Sequence, residues 1–109
     1  MPARYLLRRS SQQYYWVLYA VNGEALLTSE RYTTKAAAEG GIASARVNSP
    51  IDARYARLVS SANQPYFVLR GANGEPIGTS EMYSSVAARE NGIAATKRDG
   101  PSAPTVDQT

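Results

Sequence analysis

Shifted by 51 positions, the chain matches itself without a gap: residues 13–48 fall on residues 64–99 with seventeen identities in thirty-six positions. The common skeleton is Gln13, Tyr15, Val17, Leu18, Asn22-Gly23-Glu24, Thr28-Ser29-Glu30, Tyr32, Ala36-Ala37, Glu39 and Gly41-Ile42-Ala43. Its copies run from Gln64 and Tyr66 through Asn73-Gly74-Glu75, Thr79-Ser80-Glu81 and Tyr83 to Gly92-Ile93-Ala94. Upstream, Ala3-Arg4-Tyr5 returns as Ala53-Arg54-Tyr55 at an offset of 50, so the first turn of the second copy has gained a residue. A chain of 109 residues built this way is two copies of one supersecondary unit. Each copy, at about fifty residues, buries too little apolar surface to stand alone, so the two must share a core.

Each copy reads as strand, strand, strand, helix. Alternating apolar stretches place strands near 3–10, 13–21 and 25–29, and again near 53–60, 65–72 and 76–80. Asn22-Gly23 and Asn73-Gly74 predict type I′ hairpin turns, which need two residues that accept positive φ. Helices follow near 34–47 and 85–98. Thr33 and Ser84 are the N-cap candidates, each preceded by a tyrosine that could staple onto Ala37 or Ala88. The helices are lined with small residues, and the repeated Gly41 and Gly92 predict a close backbone approach, either helix on sheet or helix on helix, since glycine inside a helix costs about 1 kcal/mol relative to alanine. The organisation is therefore a first repeat at 1–49, a second at 50–100, and a tail at 101–109 expected to be disordered, the whole forming one compact unit.

Composition removes most chemistry. Cysteine and histidine are both absent, which excludes disulfides, thiol nucleophiles, Cys/His metal sites and the usual general base near neutral pH. No cofactor or metal is implied. The net charge is only +3, without a block of like charges. No apolar run is long enough to span a bilayer and the N-terminus lacks the apolar stretch of a secretory signal, so no membrane association and a cytoplasmic location are expected.

The doubled skeleton Asn-Gly-Glu, Thr-Ser-Glu-x-Tyr, Ala-Ala and Gly-Ile-Ala resembles the YegP-like family of small bacterial proteins, which are often built from two copies of such a domain. The likeness covers residues 3 to 99 and is closest in the second copy. In the first, Gly40 stands where the family tends to have Asn. The resemblance implies an α+β fold of antiparallel sheet and two helices with internal pseudo-twofold symmetry. It implies no activity and no catalytic residues.

The glutamates recur in pairs, Glu24/Glu75, Glu30/Glu81 and Glu39/Glu90. Two carboxylates facing one cleft can do acid–base work, but the first pair follows a turn and the second precedes a helix N-terminus, where negative charge is favoured. Glu39 and Glu90 are the candidates for a buried ion pair with an arginine of the other repeat. Ser29 and Ser80 have no base to activate them, so no catalytic residue is assigned and the chain reads as a non-enzyme. The middle strands carry apolar side chains on both faces. Trp16, Leu18, Phe67 and Leu69 read as the helix-facing core. The opposite face holds Tyr15, Tyr19, Tyr66 and Arg70, bordered by Arg4 and Arg54. Left open, it would be an aromatic and basic surface of the type on which single-stranded bases stack. The sequence thus points to a small binding or interaction module, with a protein partner or single-stranded nucleic acid as ligand.

Overall fold

The computed structural model describes residues 2–109. The chain forms β1 (Arg4–Ser10), β2 (Gln13–Tyr19), β3 (Ala25–Ser29), α1 (Lys35–Asn48), β4 (Tyr55–Val59), β5 (Pro65–Arg70), β6 (Pro76–Thr79), α2 (Val86–Asp99) and β7 (Thr105–Asp107). A single 3-10 turn, Asp52–Arg54, precedes β4. All seven strands join one sheet in the order β4-β5-β6-β3-β2-β1-β7. Every pair is antiparallel except β1 with β7. This is the α+β arrangement of two β-β-β-α repeats that the duplicated sequence leads to.

The repeats meet where β3 runs antiparallel to β6, with Thr28 directly opposite Thr79. Those threonines are equivalents at the repeat spacing of 51. A pseudo-twofold axis therefore passes between them, normal to the sheet, and each repeat supplies the neighbour that the other's third strand lacks.

Both helices lie on one side of the sheet. Trp16, Leu18, Phe67 and Leu69 are fully buried there, together with Tyr5 and Leu7, against Ala38, Ile42, Ala45 and Ile93. The tyrosine at the start of each repeat's first strand, Tyr5 as the second residue of β1 and Tyr55 as the first of β4, pins a helix C-terminus. Tyr5 Oη donates to the Gly100 carbonyl at 2.7 Å, and Tyr55 Oη to the Ser49 carbonyl at 2.6 Å. Carbonyls at a helix end have no partner within the helix, so each bond satisfies a group that would otherwise be buried unpaired. The close approaches at Gly41 and Gly92 are made by tyrosine rings of the same repeat. A Cβ at either position would overlap the hydroxyl of Tyr32 or Tyr83 and come within 2.7 Å of its Cζ.

Several local expectations are corrected. Gly23 and Gly74 adopt positive φ, but Asn22 and Asn73 do not. Each turn is bonded from the glycine N–H back three residues, Gly23 to Ala20 and Gly74 to Gly71, and Ala20 and Gly71 donate to Glu24 and Glu75. That is a type I turn closed by a left-handed glycine rather than a type I′ turn. The Asn side chain serves instead as acceptor for the Glu24 or Glu75 N–H, at 3.0 Å in both copies. The helix caps lie one residue later than expected: Thr34 and Ser85 accept from the N–H groups of Ala37 and Ala88.

The tail at 101–109, expected to be disordered, is ordered through β7, which pairs with Tyr5, Leu6 and Leu7 of β1. Arg46 donates to Ala103 O and Thr105 Oγ1, Lys35 pairs with Asp107, and Ala103 is buried. Composition alone hid this, because the partners lie in a distant helix and the first strand. Glu39 is exposed, so it is not the buried ion-pair partner proposed for it. Glu90 does pair, but with Arg57 and Arg89 of its own repeat. Both arginines come within hydrogen-bonding reach there, and they hold the carboxyl below its usual range against the opposing effect of burial.

Candidate functional site

Strand alternation puts the side chains of Ala56, Val68, Thr79, Thr28, Val17, Leu6 and Val106 in one row across all seven strands. This row lies on the side away from both helices, and no secondary-structure element of the described residues covers it. Leu6, Val17 and Val68 form its floor.

Around that row stand the residues singled out from sequence. Tyr15 and Tyr19 flank Val17 on β2, and Tyr66 and Arg70 flank Val68 on β5, with all three tyrosines half-buried and Arg70 exposed. Arg4 is opposite Tyr19 and Arg8 opposite Tyr15 on β1. The Arg4 guanidinium sits 4.9 Å from the centre of the Tyr19 ring, and its Nη1 has no hydrogen-bond acceptor among the described residues. Arg31, which sequence reading passed over, lies 4.5 Å from the centre of Tyr15. Its position just past the third strand gave no periodic signal.

Because β2 and β5 are three strand spacings apart, about 14 Å, and run in opposite directions, Tyr19 and Tyr66 share one end of the face and Tyr15 and Arg70 the other. Arg54 does not join them. The 3-10 turn swings it toward the helices, where its Nε donates to Asn48 Oδ1 at 2.9 Å. Asp107 is the one carboxylate within any strand of the described residues, and it faces the helix side, bound by Lys35. The helix-free face is thus aromatic, apolar and cationic without a strand-borne acid.

A second feature lies on the helix side. A groove of about 520 Å³ separates the β2–β3 turn from α2, lined by Ala20, Leu26, Tyr83, Ala88, Gly92 and Ala95, with Glu24, Glu81, Asn91 and Arg98. It brings one carboxylate of each repeat to a common space. Burial, reinforced by the negative charges of Glu81 and Glu24, pushes the Tyr83 hydroxyl up to about 12. The small residues of α2 were the sequence signal for this groove, but they read equally as a packed face. No group of three His, Cys, Asp or Glu among the described residues could hold a metal ion, and no helix is long and apolar enough to cross a membrane.

Comparison with known proteins agrees with this architecture. A UPF0339 protein of Bordetella pertussis is 52% identical over 109 residues, covering 100% of this chain and 98% of that protein. The UPF0339 protein YegP of Escherichia coli O157:H7 is 48% identical over 104 residues, covering 95% of this chain and 94% of its own. The solution structure of a UPF0339 protein from Shewanella oneidensis superposes with a TM-score of 0.91 at 50% identity, covering 98% of this chain and 92% of that one. That of yegP from E. coli, described as a protein of unknown function, gives 0.93 at 46% identity, covering 100% and 95%. The family model described as a domain of unknown function, DUF1508, matches twice, over residues 10–55 and 60–107, and the chain belongs to that family.

Proposed function

We propose that this protein is a non-enzymatic, cytoplasmic binding module that works through the helix-free face of its sheet, and that its ligand is single-stranded nucleic acid. One observation carries the reading: three tyrosines and Arg4, Arg8 and Arg70 stand on one uncovered face whose strands present no carboxylate. Bases stack on aromatic rings and on guanidinium planes, and a cationic surround attracts the phosphates. The guanidinium groups lying over Tyr15 and Tyr19 add planes of the kind on which bases also stack. Duplex DNA fits less well, because a broad sheet face enters neither groove as a helix or a two-stranded ribbon does.

The test is titration of fluorescent oligonucleotides into the full chain at low and moderate salt. Affinity should fall as salt rises. The double change Tyr15→Ala and Tyr66→Ala should remove about 1 to 3 kcal/mol for each stacked base lost, while circular dichroism shows the variant still folded. Failure of the parent protein to bind any single strand at low salt would overturn the reading.

A further inference from the structure

The two outer edges of the sheet are related by the internal pseudo-twofold axis, yet only one of them is covered. β7 lies along β1, and β4 has no outer neighbour among the described residues. We propose that the outer edge of β4 is a docking site for an extended segment of a partner protein, added parallel to β4 as β7 is added to β1.

The free groups follow from the ladder. Phe67 directs its backbone toward β6: its N–H donates to Ser80 Oγ and its carbonyl accepts from the Ser80 N–H, both at 2.9 Å. Backbone direction alternates along a strand, so Tyr66 and Val68 bond β4 through Leu58 and Ala56. Tyr55, Arg57 and Val59 therefore point their backbone groups outward. Pro65, opposite Val59, fits this, since it has no N–H to give. The Tyr55 N–H is taken by the Asp52 carbonyl. That leaves the Tyr55 carbonyl and both groups of Arg57 and of Val59.

On the covered edge the equivalents of Tyr55 and Arg57 are satisfied by the tail. The Tyr5 N–H donates to Pro104 O at 2.8 Å, and the Leu7 carbonyl accepts from the Gln108 N–H at 2.9 Å. An edge left with unpaired groups is a template for another chain, and main-chain bonds to it supply affinity. β7 cannot serve both edges, because it is committed to β1 and so lies six strand spacings, about 29 Å, from β4.

The flanking side chains state what such a segment should look like. β7 turns Thr105 and Asp107 toward α1, where Arg46 and Lys35 bind them. At the repeat spacing, Lys97 and Val86 hold the corresponding places on α2. Val86 and Val59 are each 55% exposed, and the first turn of α2 is fixed near the end of β4 by Arg89 donating to Leu58 O. The docking strand should thus carry an apolar residue where β7 carries Asp107.

The probes are two synthetic peptides copying residues 103–109, one unchanged and one with Asp107→Val, titrated into the full chain while amide hydrogen exchange is followed residue by residue. The Asp107→Val peptide should bind more tightly, and the Arg57 and Val59 amides should slow by about tenfold or more at saturation. Val59→Pro removes an outward N–H without breaking a bond to β5, so it should keep the thermal midpoint and abolish the effect. Protection appearing at Tyr5 and Leu7 instead, or no binding at millimolar peptide, would overturn the proposal. So would a dimer in sedimentation, without peptide, that Val59→Pro dissolves, because a second copy would then be the occupant.

Discussion

Gly41→Ala asks whether the small-residue faces of the helices are packed surfaces or merely tolerated glycines. The added Cβ would overlap the Tyr32 hydroxyl, stand 2.7 Å from Tyr32 Cζ and lie 3.0 Å from Trp16 Nε1. Alanine in a helix interior gains about 1 kcal/mol over glycine, and overpacking typically costs about 1–3 kcal/mol. Trp16 is completely buried and cannot retreat. The cost at Gly41 should therefore fall in the upper part of that range, for a net loss of about 1–2 kcal/mol. Gly92→Ala is the internal control, because the three atoms nearest its new Cβ all belong to Tyr83, whose ring borders the groove and can turn into it. There the relief should leave a net change within about 1 kcal/mol of zero. Adding Tyr32→Phe to Gly41→Ala should recover part of the loss, since the hydroxyl is removed but the ring carbon remains. Urea unfolding with unchanged m-values measures all three. A Gly41→Ala protein as stable as its parent, or more so, would refute the packing argument.

Three further outcomes are expected. Tyr55→Phe should cost about 1–2 kcal/mol in urea unfolding, because it leaves the buried Ser49 carbonyl without its donor. Lys35, and then Thr109, hold the Asp107 carboxyl well below the ordinary aspartate value of 3.8. A depressed carboxylate contributes while ionised, so the anchoring of β7 should be full above pH 3.8 and fade as the pH falls further, read as faster amide exchange at Thr105–Asp107; Lys35→Met should remove most of that pH dependence. A chain ending at Ser49 should show no cooperative thermal transition as a monomer, since β3 would lose β6, and α1 would lose β5 and β6 beneath it.

The repeat and its strand–helix order were legible because identical residues recur at one spacing and the apolar period changes from two to that of a helix. Trp16, Leu18, Phe67 and Leu69 announced the buried face by alternation alone. The turns were misjudged because Asn-Gly serves two hairpin geometries, and the choice between them rests on which carbonyl the glycine N–H reaches. The tail escaped notice because its stability comes from Arg46 and Lys35, whose nearness to residues 103–107 exists only after folding. For the candidate face, the three tyrosines and Arg4 and Arg70 were readable from strand parity. Arg31 and the diversion of Arg54 were not, since both depend on irregular backbone just outside a strand.

Duplication fixed the shape of the helix-free face, but its side chains have since diverged between the halves. At repeat-equivalent positions Arg8 corresponds to Leu58, Arg31 to Met82 and Tyr19 to Arg70, while Arg4 corresponds to an Arg54 that has left the face. The half built on β1 and β2 thus holds Arg4, Arg8 and Arg31 with two tyrosines, and the half built on β4 and β5 holds one tyrosine and Arg70. A single strand bound as proposed would lie mainly over the first half. The decisive perturbation removes two of these differences: Arg8→Leu with Arg31→Met gives the first half the second half's residues at those positions. If each arginine meets one phosphate, the pair should lower the slope of log affinity against log salt by about 1.4, at roughly 0.7 per contact for a single strand. The opposite exchange, Leu58→Arg with Met82→Arg, should raise the slope by less, because that half offers only Tyr66 for stacking. Equal effects from the two exchanges, read by fluorescence anisotropy across a salt series, would mean that the ligand does not distinguish the halves and that the asymmetry has another origin.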